Sequence, residues 1–325
     1  MSKFVFSLGV IAAGLFSGYI LQILVRKGVL RLSIELDRLR RLVLRTALLT
    51  FLPVTVIGAV WSIRISDPRI ATLPFLGAFS LFLGGMLALV VSKMLRLERP
   101  QTGSFFVCGF FVNMGAVGAL ICYVFLGETG FALVPIYRLF EEFLYYMVGF
   151  PVARFYGAEV REEETFLGRF RKTSLDPMIL VSISSLTVGG ILNLSGLPRP
   201  EFYRTVNSVL IPLTTIVFLV PIGLAMKVGK VRHYFRECLL ISFVRFLMVP
   251  GMITFLAVLL GYKEIGEGLV LKVVMVLSSM PVAFMALIPP SLYDLDLDLA
   301  NSCWLVTTSL LILVLPVLYF VIQMF

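Results

Sequence analysis

Residues 268–291 read GLVLKVVMVLSSMPVAFMALIPPS, an apolar run that carries Ser278-Ser279-Met280-Pro281 at its centre. A helix that crosses a bilayer needs about 20 mostly apolar residues, and this run has the length. Pro281 inside such a helix removes one backbone donor and crowds the preceding turn, so a carbonyl upstream loses its partner. A second run is built the same way. Residues 104–126, SFFVCGFFVNMGAVGALICYVFL, hold Asn113-x-Gly115-x-x-Gly118 at mid-length. Asn is a poor interior helix residue, and the glycines admit unusual dihedrals. Loose backbone groups at membrane depth are tolerated where they line a cavity, so both runs are expected to be broken helices.

Composition supports a membrane setting for the whole chain. Of its 325 residues, 59% are hydrophobic and 14% charged, with mean hydropathy +1.00. A soluble domain is about 45–50% apolar and about 25% charged, so this chain has too little polar surface to stay dissolved. Ten apolar segments are expected to span, at 4–25, 42–63, 71–92, 104–126, 131–153, 178–195, 205–226, 237–260, 268–291 and 300–324. The first is preceded only by Lys3 and is too long for a signal peptide, so it is expected to remain in the mature protein. A single His and four Cys (Cys108, Cys122, Cys238, Cys303) argue against a soluble metalloenzyme. The Cys residues form no CxxC pair and read as buried thiols.

Basic residues divide unevenly between the two sets of connections. After the odd-numbered spans come Arg26, Lys27, Arg31, Arg38, Arg40 and Arg41, then Lys93, Arg96 and Arg99, then Arg154, Arg161, Arg169, Arg171 and Lys172, then Lys227, Lys230, Arg232 and Arg236. The opposite connections hold only Lys3, Arg64, Arg69, Arg199, Arg204 and Lys263. Basic loops stay cytoplasmic, so both termini are expected outside, in the cytoplasmic membrane. The net charge of +9 then marks a face that meets anionic lipid and needs no nucleic-acid partner. Residues 31–45, RLSIELDRLRRLVLR, are amphipathic at helical spacing and are expected in the headgroup plane ahead of span 2.

The two halves echo one another. Gly18-Tyr19-Ile20-Leu21 corresponds to Gly189-Gly190-Ile191-Leu192, Asn113-Met114-Gly115-Ala116 to Ser279-Met280-Pro281-Val282, and Phe150-Pro151-Val152 to Leu315-Pro316-Val317, all at similar offsets. Five spans per half is an odd number, so the second half lies inverted relative to the first. The expected organisation is an all-α integral membrane protein with a first five-helix repeat at 1–156, a cytoplasmic connection at 157–176, and a second repeat at 177–325. Inverted repeats with matched interruptions are a transporter architecture, with the solute bound where the broken helices meet. That expectation assigns solute binding to Asn113, Gly115, Gly118, Ser278, Ser279, Met280 and Pro281, with half-helix N-termini offering positive dipole ends to an anion. Taken singly, Gly-x-x-Gly spacing or a Pro kink fits helix packing equally well, and only the matched pair points to a site.

The stretches FVNMGAVGAL (111–120), LDPMILVSISSLTVGGIL (175–192) and the run from Val273 to Val317 resemble the auxin efflux carrier family. That family includes bacterial and archaeal organic-anion permeases and is distantly similar in architecture to bile-acid/sodium symporters. The likeness covers essentially the whole chain and is strongest in the last five helices. It implies ten helices in two inverted repeats, broken helices 4 and 9 crossing beside the substrate, and an elevator-type motion of one domain against the other. The family's helix-4 pattern, Asn-x-Gly-x-x-Gly-x-Pro, is met at Asn113, Gly115 and Gly118, while Leu120 stands where its Pro would be. Met280-Pro281 keeps the helix-9 Met-Pro.

Ionisable groups inside a span default to functional candidates. In IYRLFEEFLYYM, Arg138 can meet Glu141 or Glu142 at helical spacing. A carboxylate left over from that pair would suit a proton or cation, whereas a fully paired cluster would order the scaffold; both readings stand. Arg45, Arg245 and Lys272 could balance an anion or snorkel to an interface. Asp294, Asp296 and Asp298 lack the Gly turn and closing Glu of a calcium loop, so no metal is expected there. His233 follows Lys230 and Arg232 and reads as a solvated loop residue.

The expected function is secondary transport of a small anionic organic solute. No GxxxxGK[ST] motif is present, so the chain itself uses no ATP, and no cofactor is expected. Coupling to H+ or Na+ is left open by the sequence. The competing class is an integral-membrane enzyme acting on a lipid or lipid-linked substrate. It would cluster His, Asp and Glu at one membrane boundary, which one His and scattered acids do not supply. Expected partners are membrane lipid, the solute and a second copy of the chain as a homodimer.

Overall fold

The computed structural model describes residues 2–27, 29–30, 36–63, 67–157, 175, 177–224 and 230–325. Among these residues every regular element is helical, and extended pairing is limited to one antiparallel bridge between Val112 and Val282. Most of the connection at 157–176 lies outside the described residues, as do residues 31–35 of the amphipathic segment.

Among the described residues six helical stretches are long and apolar enough to cross a bilayer: Val5–Arg26, Pro68–Leu95, Met114–Tyr156, Phe202–Gly223, Phe235–Leu259 and Leu297–Ile322. Shorter apolar helices occupy Leu49–Trp61, Leu180–Leu194 and Leu269–Ser278. The count falls below ten for a local reason. The second, sixth and ninth apolar segments form only the short helices Leu49–Trp61, Leu180–Leu194 and Leu269–Ser278, and the stretch Met114–Tyr156 takes in two expected segments at once. Large apolar side chains point outward along these helices, among them Phe16, Phe75, Met86, Phe255, Leu313 and Phe320. Outward apolar surface on that scale belongs against lipid, and the chain is a multi-pass integral membrane protein.

The chain divides into two compact units, and each takes segments from both sequence halves. The first unit comprises residues Met1–Ile65, Gly115–Pro135 and Leu180–Lys227. It holds α1 (Ser2–Arg26), α2 (Leu36–Thr46), α3 (Leu52–Trp61), most of α6 (Ala119–Tyr137) and α9 (Pro177–Leu194), and α10 (Phe202–Gly223). A π-helical turn, Ala47–Phe51, carries α2 directly into α3. Close helix approach here depends on small residues, as is usual in membranes. Gly18 of α1 lies against the Val220 carbonyl and Gly223 of α10, where any side chain would collide with backbone. The connection before α10 is pinned to the end of α3: Trp61 Nε1 donates to the Leu197 carbonyl at 3.0 Å, and Asn193 Nδ2 donates to that of Trp61 at 3.0 Å.

The second unit comprises Ser66–Met114, Ile136–Ile179 and Val228–Phe325. Its helices are α4 (Leu73–Leu95), α5 (Arg99–Phe110), α7 (Glu141–Leu144), α8 (Phe150–Tyr156), α11 (Phe235–Phe243), α12 (Val249–Leu259), α13 (Leu269–Ser278), α14 (Ile288–Leu292) and α15 (Leu297–Ile322). A Glu98–Gln101 capping box and Pro100 start α5. Gly84 of α4 and Gly109 of α5 face each other's backbone. The core between the helices is aromatic and aliphatic, with Phe105, Phe110, Phe111, Tyr137, Tyr262 and Trp304 fully enclosed.

Candidate functional site

Both interruptions are resolved into one small piece of paired backbone in the second unit. After α5 ends, Phe111 takes an extended conformation (φ −92°, ψ 119°). After α13 ends, Ala283 does likewise (φ −73°, ψ 151°). The two extended stretches run antiparallel. Asn113 N–H donates to the Pro281 carbonyl at 3.0 Å, and Ala283 N–H donates to that of Phe111 at 2.9 Å. Backbone groups that both helices release thus satisfy one another. Val282 N–H donates to Thr307 Oγ1 of α15 at 3.3 Å, and Val112 N–H to Tyr145 Oη at 2.8 Å. A π-helical turn at Met114–Gly118 and a 3-10 turn at Phe284–Leu287 then restart the helices.

This arrangement brings together Asn113, Met280 and Pro281, with Ser278 and Ser279 immediately before them. Asn113, Ser278, Ser279 and Met280 are buried. Both serine hydroxyls turn back onto the last turn of α13 and donate to the Met275 carbonyl, at 3.3 Å for Ser278 and 2.7 Å for Ser279. Back-bonding of this kind loosens a helix end. Gly115 and Gly118 lie in the π-helical turn within the first unit, where Gly115 lines a narrow crevice with Thr55, Thr214, Thr215 and Phe218.

The intramembrane charge cluster is joined to the same backbone. Arg138 Nε donates to Glu141, and its Nη2 lies 3.4 Å from Glu142 Oε1, so both carboxylates meet the one guanidinium. Glu141 Oε1 also lies 2.9 Å from Tyr145 Oη. That hydroxyl accepts from Val112 N–H, and its one proton lies within donating reach of both the buried carboxylate and the Val112 carbonyl at 3.1 Å. The Tyr145 ring stacks on Phe111, with centroids 4.2 Å apart. Arg138, Glu141 and Tyr145 form a chain that ends at the interruption.

Arg245, which the sequence offers as a possible counter-charge to an anion, lies at the break, and several further polar groups were not singled out in the sequence. Arg245 is fully buried, and its guanidinium reaches the carbonyls of Met280 (3.0 Å), Ser278 (3.4 Å) and Gly109 (3.5 Å). On α15, the Trp304 indole N–H and the Thr308 hydroxyl, one turn apart, are buried and meet no hydrogen-bond partner among the described residues, and Trp304 packs edge-on against Phe284 of the restarted helix. In the first unit, Gly127 kinks α6 in a conformation that favours glycine (φ 75°), and next to it Glu128 is held by Arg199 and by Asn207 Nδ2 at 2.5 Å. A cavity of about 760 Å³ opens beside this group, lined in part by Tyr123, Arg204 and Ser208.

The connecting residues have structural partners. Asp296 caps α15 by accepting from Leu299 N–H at 2.9 Å and also accepts from Tyr234 Oη at 2.8 Å. Asp298 pairs with Lys230 at 2.6 Å and holds its ammonium above the usual lysine range. The Arg69 guanidinium, helped by the Arg69 backbone N–H, keeps the Asp67 carboxyl below the usual carboxylate range. His233 is exposed against Tyr234, and all four cysteines are buried and unpaired as disulfides.

An all-helical membrane chain with two helices broken and laced together is built to hold loose backbone in lipid, a property of membrane proteins that pass solutes rather than merely anchor. Two archaeal proteins resemble it. Over 299 residues the chain is 25% identical to an uncharacterised transporter of Methanothermobacter thermautotrophicus, covering 92% of each. Over 237 residues it is 26% identical to an uncharacterised transporter of Methanocaldococcus jannaschii, covering 72% of this chain and 73% of the other. No family model matches the chain. These similarities support a transporter function in general terms.

Proposed function

We propose that the chain is a secondary transporter of the auxin efflux carrier type, moving a small anionic organic solute across the cytoplasmic membrane by elevator-type alternating access. The observation that carries this reading is the pairing of residues 111–113 with 281–283. A helix in lipid is broken only where its freed groups find partners, and breaks of this kind flank solute sites in transporters. The solute would lie against Asn113, Ser278, Ser279, Met280 and Pro281, with Gly115 and Gly118 giving room as helix 4 restarts.

The division into compact units supports ten spans in two inverted repeats. Expected spans 1 and 2 fall in the first unit together with 6 and 7, whereas 3 and 5 fall in the second with 8, 9 and 10. Four of the five equivalent pairs thus keep company, as a twofold pseudo-symmetry requires, while span 4 is divided between the units at residues 114 and 115 and its counterpart 9 lies in the second. Two bodies of this kind also suit an elevator, in which one carries the solute and the other stays anchored.

The test is uptake into proteoliposomes of a carboxylate selected by thermal-shift screening. Asn113→Leu should abolish uptake while the unfolding temperature is retained. Undiminished uptake in that variant would refute a solute site at the paired segments.

A further inference from the structure

The two half-helices that stop at the interruption, α5 and α13, both end on the Arg245 guanidinium. Arg245 sits in a π-helical turn, Val244–Met248, between α11 and α12. Its Nε and Nη2 donate to the Met280 carbonyl at 3.3 and 3.0 Å, Nη2 reaches the Ser278 carbonyl at 3.4 Å, and Nη1 reaches that of Gly109 at 3.5 Å. Among the described residues no carboxylate pairs with it. Gly84 closes the pocket, because a Cβ there would stand 3.0 Å from Arg245 Nη1.

A buried charge without a counter-ion is costly unless dipoles replace the anion. Each helix C-terminus carries roughly half a negative charge, so two of them together offset about one positive charge. Arg245 matches that demand. In transporters with broken helices, carbonyls of unwound backbone and half-helix C-termini are the groups that coordinate a coupling Na+. Here those carbonyls already hold a covalently attached cation, and arginine stays charged at every physiological pH.

We propose that Arg245 is a built-in cation occupying the place of a coupling sodium ion at the paired helix ends, so that transport by this chain is independent of Na+. The inference rests on the transporter reading above, but its test needs no solute. The intact chain, purified in detergent, is unfolded thermally in NaCl, KCl and choline chloride at equal ionic strength. The wild type should unfold at the same temperature in all three and show no saturable binding of radioactive sodium. Arg245→Ala should lose several degrees and regain them on millimolar guanidinium chloride but not on equimolar urea. A saturable rise of the wild-type unfolding temperature in Na+ over K+ would overturn the proposal, as would an Arg245→Ala protein that guanidinium does not stabilise. If Arg245→Ala does not fold, the wild-type comparison decides alone. Once a solute is found, replacing Na+ should change its uptake by less than about twofold, whereas a coupled ion changes affinity by about 5- to 150-fold. Failure to find any uptake would count against the transporter reading and leave the sodium comparison standing.

Discussion

Tyr145→Phe isolates a single hydroxyl on which the interruption of helix 4 depends. The substitution keeps the ring stacked on Phe111, whose centroid lies 4.2 Å away, and removes the oxygen that accepts from Val112 N–H and meets Glu141. Two effects compete in setting the magnitude. Hydrogen bonds between membrane helices are worth only about 0.6 kcal/mol on average, because a broken partner usually finds another. Val112 cannot do so readily, since it lies outside helical conformation and is 2% exposed, and a buried donor left unsatisfied costs about 1–3 kcal/mol. The larger figure governs. At about 2.1 cal/mol/K of unfolding entropy per residue, a chain of this length shifts by about 1.5 °C per kcal/mol. Thermal unfolding in detergent should therefore fall by about 2–4 °C. An unchanged unfolding temperature would refute the claim that this hydroxyl holds the broken backbone.

Three other outcomes follow from the same geometry. Gly84→Val should destabilise the chain by about 1–3 kcal/mol, the range for overpacking, because the Gly109 carbonyl and Arg245 leave no space for a side chain; thermal unfolding checks it. Glu141→Gln should lower the unfolding temperature at least twice as much as Glu142→Gln, since Glu141 is 3% exposed between Arg138 and Tyr145 while Glu142 is 22% exposed; equal effects would contradict the assigned partners. Asp67, whose folded pKa is depressed by Arg69, contributes stability that is present above the ordinary carboxylate range and lost as pH falls through its lowered value. Arg69→Gln should raise the Asp67 titration toward the usual range, short of it because the backbone N–H of residue 69 still donates to the carboxylate; NMR of the carboxyl carbon reads the shift, and acid unfolding should become less steep.

The helices were legible because lipid imposes a simple demand, a long apolar run, that single residues cannot disguise. The interruptions were legible too, because Asn113, the nearby glycines and Pro281 act on the backbone in their own immediate neighbourhood. Their partners were not. Val112 is held by Tyr145 and Val282 by Thr307, residues that reach the break only through tertiary packing. Helical spacing put Arg138 within reach of Glu141 and Glu142, and the contacts form although Arg138 lies in the turn between α6 and α7, yet the spacing gave no sign that the cluster continues through Tyr145 to the break. Arg199 reads as one basic connecting residue among others, and nothing in the sequence ties it to Glu128, which follows the kink at Gly127.

Arg245 shows most clearly where sequence reasoning stops. A lone arginine in an apolar run announces itself, but periodicity says nothing of what receives the charge, because the acceptors are carbonyls and every residue has one. Only the two breaks make particular carbonyls available. A continuous helix would have bonded the Gly109, Ser278 and Met280 carbonyls internally and left the guanidinium in hydrocarbon without partners. The converse holds as well: without a cation, two helix C-termini would face each other with like partial charges. The breaks and the buried arginine therefore require one another, and the residues that govern this centre, Asn113, Arg245 and Pro281, are tied by electrostatics rather than by proximity in the chain.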